Sequence, residues 1–298
     1  MIKTKDNDRL QRAGLCAILL VGDYGLCGQI MANSCGDLLT AWLTATIAAG
    51  LIWAAASVIP RPRCSAKHGE LINHAAVFYF ALMACLYLRG TALLWRQWAF
   101  PTSSVLLPAL SLSLLAVYGG RRGLRPLLRL TLPVMTALFF FFLLDTAFLI
   151  PEMSFRRLAL SSAGFDSILT LRLTGALLLP LPAALLLSPG SGDSPAGLSR
   201  VGLISGLLYL LLTALRSLLL LGRLTVWEPF PLLRSLMLVG VGPGLSRMDC
   251  WGLLALSGAM TTAVMLFAAG LLARIGEQRH CRLTAAAVAA FLTVCAFF

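Results

Sequence analysis

The stretch VGDYGLCGQIMAN, residues 21–33, lies inside an otherwise apolar run, AGLCAILLVGDYGLCGQIMAN, residues 13–33. Gly22, Gly25 and Gly28 put three glycines into seven positions, and Asp23 sets a carboxylate among them. Glycine is a poor helix former, and a charge inside hydrocarbon is expensive. Together they predict a helix interrupted at membrane depth, where irregular backbone is tolerated only inside protein or beside a water-filled cavity.

The rest of the chain supports a membrane setting. Its 298 residues are 59% hydrophobic and 12% charged, with a mean hydropathy of +0.87. A soluble domain of that length needs more polar surface. Crossing about 30 Å of hydrocarbon takes about 20 apolar residues. Nine runs qualify, near 12–33, 38–59, 71–95, 102–119, 126–150, 165–188, 198–222, 249–273 and 282–298, the fourth and ninth being short. Residues 1–11 read as a cytoplasmic N-terminal tail and 12–298 as one transmembrane domain. No small-residue cleavage site follows the first run, so it is expected to be the first span rather than a signal peptide.

Cationic residues test this map, because short cytoplasmic loops carry an excess of Lys and Arg. With the N-terminus inside, 15 of the 24 Lys and Arg fall on the cytoplasmic side, and Arg96, Arg156, Arg157, Arg223, Arg234 and Arg247 fall outside. A span missed or invented early would scramble that alternation. The net charge of +12 therefore reads as topology and as a match to anionic headgroups. The charges are divided among short loops, which argues against nucleic-acid binding.

A second interruption appears in the sixth run, GFDSILTLRLTGALLLPLPAALLLSP, with Gly175, Pro180 and Pro182. Each proline removes a backbone donor and clashes with the preceding turn. Close helix packing is the plainer reading of any single glycine. The joint pattern says more: runs one and six stand five spans apart, as equivalent helices do in five-plus-five inverted repeats. Interrupted helices of that kind build ligand sites, so Gly22, Asp23, Gly25, Gly28, Gly175, Pro180 and Pro182 are candidate ligand-binding positions. A second set of charges lies within spans: Arg89, Asp145, Arg172 and Arg216. Each costs roughly 2.5–3.5 kcal/mol on insertion scales. Asp145 is expected to pair with an arginine, and Asp145 and Arg172 are the leading intramembrane candidates. Snorkelling to an interface is the alternative for the arginines.

Catalytic patterns are missing. His68, His74 and His280 form no H-E-x-x-H, and neither a phosphate loop nor a G-x-S-x-G occurs. GVGPG at 240–244 follows no strand, and SPGSGDSPAG at 188–197 reads as a cytoplasmic turn. The sequence points away from an enzyme and calls for no cofactor or metal. Eight cysteines form no C-x-x-C pair; Cys27, Cys35 and Cys250 lie on or toward the outer side, where a disulfide is open to them.

The segment after the seventh run resembles the B subunits of spore germination receptors, the endospore germination permease family of the amino acid–polyamine–organocation superfamily. In that family a glycine ends the seventh helix, a Phe-Pro opens a short helix containing an arginine, and an Arg-x-Asp or Arg-x-Glu opens the eighth. The counterparts here are Gly222, Phe230 and Pro231, Arg234, and Arg247 with Asp249. LRGTALLWRQWAFPT, 88–102, is similar to the family's Leu-Arg and proline-threonine turn, without the acidic residue that usually follows. YGGRRG at 118–123 and AGFDSILTLRLTGALLLPLPA at 163–183 resemble the entries to its fifth and broken sixth helices. Two departures stand out: the family has ten helices against nine runs here, and the acidic residue after the sixth-helix break is replaced by an apolar stretch.

The resemblance implies an all-α polytopic membrane protein of LeuT-like fold, with helices one and six broken. It also implies assembly with A and C subunits in the spore inner membrane, where a small nutrient, commonly an amino acid, triggers germination. Half-helix N-termini would offer N–H groups to a ligand carboxylate, and freed carbonyls would accept from its ammonium. Tyr79 and Met83 of the third span would line the same cavity. A secondary permease using Asp23 or Asp145 as a proton or cation site is the rival reading, and a membrane scaffold with a collapsed cavity is a third.

Overall fold

A computed structural model describes residues 2–31, 37–58, 66–99, 102, 104–160, 166–187, 199–227, 234, 248–275 and 287–294. Every regular element among them is helical: α1 (Ile2–Gly22), α2 (Tyr24–Met31), α3 (Leu38–Val58), α4 (Ala66–Trp98), α5 (Leu106–Arg121), α6 (Leu124–Leu149), α7 (Phe155–Leu160), α8 (Ser167–Leu178), α9 (Leu181–Leu187), α10 (Arg200–Leu221) and α11 (Met248–Ile275). Short 3₁₀ turns at Ile150–Glu152 and Gly222–Trp227 follow α6 and α10, and residues 287–294 are also helical. Phe230, Pro231, Arg247, Cys35, His280 and the runs 188–197 and 240–244 lie outside the described residues.

Among the described residues, six helices are long and apolar enough to cross a membrane: Leu38–Ser57, Ile72–Trp98, Leu124–Glu152, Ser167–Leu187 (α8 and α9 together), Arg200–Leu221 and Trp251–Ile275. The other three expected spans are helical but differ in form. The first is divided at Asp23, and its helix starts ten residues before the apolar run, so Lys3, Lys5, Asp6, Asp8, Arg9 and Arg12 ride on the same α1. The fourth is the 16-residue α5. The ninth is described over 287–294. At 33 residues, α4 is about 50 Å long and outreaches the hydrocarbon.

Helix starts follow local chemistry. The Asp166 carboxylate caps α8 by accepting from the N–H groups of Ile168 and Leu169, both at 3.0 Å. Asp37 accepts from Leu39 N–H at 3.0 Å and opens α3. Gly222, with φ +56°, ends α10 in a conformation that L side chains rarely adopt.

The interior is built around α11, which packs on α4, α6, α5 and α1; α1 packs in turn on α10 and α6, and α3 on α8 and α10. Lipid tails are as apolar as leucine, so close van der Waals approach must supply the association energy. Gly202 and Gly206 of α10, spaced G-x-x-x-G, meet Ala13 and Ala17 of α1. A Cβ on Gly202 would run into the backbone carbonyl of Ala13. Large apolar side chains such as Phe78, Leu143, Leu171 and Val201 are exposed on the outside of the bundle, as a lipid-facing surface requires.

Candidate functional site

The first interruption is one residue wide. Asp23 N–H bonds back three residues to Leu20 O at 3.2 Å, and α2 restarts at once, with Leu26 and Cys27 N–H both donating to Asp23 O at 3.0 Å. Gly25 and Gly28 lie within α2, so the backbone departs from helix at Asp23 and not across all three glycines. Gly22 has a packing reason: a Cβ there would come within 2.7 Å of the Ala263 methyl and 3.0 Å of the Tyr87 ring. The back-bond of Asp23 frees the Leu19 carbonyl, the acceptor it would use in a regular helix. Tyr87 Oη donates to that carbonyl at 3.2 Å.

Asp23 itself is fully buried. Its Oδ2 accepts from the Cys27 thiol at 3.7 Å, the Tyr87 hydroxyl adjoins the carboxylate, and Oδ1 has no hydrogen-bond partner. Cys27 is a buried free thiol, which removes it from the outer disulfide left open by the sequence.

The second interruption falls at Leu179 and Pro180, between α8 and α9. Leu179 N–H donates to both Gly175 O at 3.1 Å and Ala176 O at 2.9 Å, a tightened last turn. Pro180 is buried and Pro182 exposed; Gly175 sits on the exposed side of α8, with open space where a Cβ would project. Two aromatic donors hold the loosened carbonyls. Trp53 Nε1 of α3 donates to Leu177 O at 3.0 Å. Tyr79 Oη donates to Leu179 O at 2.6 Å and accepts from Ala183 N–H at 3.2 Å. An uninterrupted helix would join Leu179 O directly to Ala183 N–H. The Tyr79 hydroxyl is therefore inserted into that rung of the ladder.

Tyr79, Met83 and Tyr87 are spaced i, i+4, i+8 and form one stripe of α4. Tyr79 reaches the second interruption, Tyr87 the first, and Met83, fully buried, lies between. The interruptions are neighbours, since α1 touches α9 and α2 touches α8 and α4. Sequence reasoning named Tyr79 and Met83 and missed Tyr87, although its spacing from Tyr79 was readable. It also missed Trp53, for which no local signal exists.

Asp145 of α6 and Arg216 of α10 line one small cavity, while Arg172 is exposed on α8. Arg216 Nη1 donates to Thr146 Oγ1 at 3.0 Å and to Phe142 O at 3.4 Å, and its guanidinium lies 4.7 Å over the Phe142 ring. Arg89 is exposed along an apolar groove of about 240 Å³ bounded by α4 and Phe291. Among the described residues no group of three His, Cys, Asp or Glu could hold a metal ion.

Residues 64–297 match a family model described as a spore germination protein. No curated protein and no protein of known structure matches the chain.

Proposed function

The chain belongs to the spore germination protein family, and from that membership we propose that it is the B-type membrane subunit of a nutrient-germinant receptor. It binds a small nutrient, an amino acid being the best fit, at its two helix interruptions and triggers germination together with A and C subunits in the spore inner membrane. In this reading the helices adopt a LeuT-like arrangement of nine spans, N-terminus cytoplasmic, with spans one and six broken.

The supporting observation is the convergence of both interruptions on one stripe of α4. Leu179 O is held by a phenol hydroxyl, which can rotate, and not by the backbone. A ligand ammonium can replace that donor. The free oxygen of buried Asp23 offers a second acceptor nearby. Exchange of a hydroxyl for an ammonium couples binding to the join between α8 and α9.

The test is thermal unfolding of the purified protein with single amino acids. A ligand that binds only the folded state at 100 times its Kd stabilises by about 2.7 kcal/mol, so a cognate nutrient raises Tm and Tyr79→Phe changes that rise. If no amino acid shifts Tm in a folded sample, this reading fails. A secondary permease is the competing proposal, and the unpartnered Asp23 oxygen favours it, because a buried carboxylate suits proton or cation coupling. Concentration-dependent uptake into proteoliposomes without an A subunit would establish it.

A further inference from the structure

Asp145 and Arg216 are buried on neighbouring helices, well away in sequence from the interruptions. Three of their polar atoms have no hydrogen-bond partner: Oδ1 of Asp145, and Nε and Nη2 of Arg216. Leaving a buried polar atom unsatisfied is costly, and more so for a charged group. Nε and Nη2 share one edge of the guanidinium, the side-on edge that presents two parallel donors. The opposite side is fixed, because Nη1 is bound to Thr146 Oγ1 and Phe142 O and the plane rests over the Phe142 ring.

Both residues face a cavity of about 10 Å³, walled by Phe141, Phe142 and Tyr209 and by Gly252 and Ala255 of α11. That volume is about what a single water needs, provided two to four polar partners surround it. The charges on the wall cancel, one carboxylate against one guanidinium. A chloride would face Asp145, and a metal cation would face Arg216. The occupant must be neutral, accept from the Arg216 edge and donate to Asp145 Oδ1.

We infer that this cavity is a binding site for one water molecule, which bridges Asp145 to Arg216 and makes them a solvent-separated ion pair locking α6 to α10 beneath α11. The inference is independent of the nutrient reading. The bridge satisfies all three atoms at once, which a direct contact would not do without pulling Arg216 off Thr146.

A mutant cycle on Tm of the purified protein tests it. Asp145→Leu and Arg216→Leu each strand one buried charge and are expected to lower Tm by about 5 °C or more. The double variant removes both charges and the need for the water, and should recover most of that loss. Asp145→Asn keeps an acceptor for the bridge and should fall between wild type and Asp145→Leu, which preserves a reading if the leucine variants do not fold. Gly252→Ala, at a residue that lines the cavity, should lower Tm in the wild type and lower it less, or raise it, in the double variant. The inference is overturned if the double variant loses the sum of the two single losses. Equal effects of Gly252→Ala in both backgrounds, or Asp145→Asn as damaging as Asp145→Leu, would overturn it too.

Discussion

At the scale of single residues, the second interruption rests on one hydroxyl. Tyr79→Phe keeps the ring and its edge contact with Phe80 at 5.5 Å but leaves Leu179 O and Ala183 N–H without their bridge. A part-buried acceptor stranded in this way costs about 1 kcal/mol or more, so Tm of the purified protein is expected to fall by a few degrees. A phenylalanine variant as stable as wild type would mean that the two backbone groups find each other directly. Asp23→Asn is the complementary change, preserving shape while removing the ionisable carboxyl group at the first interruption. Germinant response is expected to drop at least tenfold with Tm nearly unchanged. A spore carrying Asp23→Asn that germinates normally removes Asp23 from the nutrient site.

At the scale of elements, the positions of both interruptions were legible because their causes are local. Pro180 has no N–H to give, and the Gly22–Asp23 step is visible in any window of the first span. The partners that stabilise them were not legible, since Trp53 and Tyr87 come from other helices and reach backbone carbonyls that carry no side-chain signature. Which arginine faces Asp145 was not legible for a related reason. A helix in lipid is apolar on every side, so its pattern does not reveal which arginine turns inward, and Arg216 rather than Arg172 meets α6. The same holds for glycines, whose roles separate only in three dimensions. Gly202→Ala drives a methyl into the Ala13 carbonyl at the α1–α10 crossing, and a cost of about 2 kcal/mol or more is expected. Gly175→Ala projects into open space on α8 and should be neutral or gain up to about 1 kcal/mol from helix propensity. Thermal unfolding of the two variants side by side checks this, and equal effects would mean that the crossing is looser than described.

At the scale of the whole molecule, the question is whether the bundle would move the proposed nutrient or only register it. Alternating access requires one group of helices to rock against another around a fixed site. Here the broken first helix is held on several sides at once: by Gly202 and Gly206 of α10, by Ala263 of α11 against Gly22, and by Tyr87 of α4 on the Leu19 carbonyl. Small-residue contacts of this kind depend on close approach and weaken steeply when helices separate. Large rocking is thus opposed, whereas turning the Tyr79 hydroxyl out of the α8–α9 join needs no helix to leave its neighbours. The expected result in proteoliposomes is a nutrient that raises Tm yet shows no concentration-dependent accumulation above protein-free vesicles. Accumulation that Asp23→Asn abolishes would overturn this and favour carboxylate-coupled transport. Accumulation that survives Asp23→Asn would place the coupling group elsewhere, with Asp145 the next residue to replace.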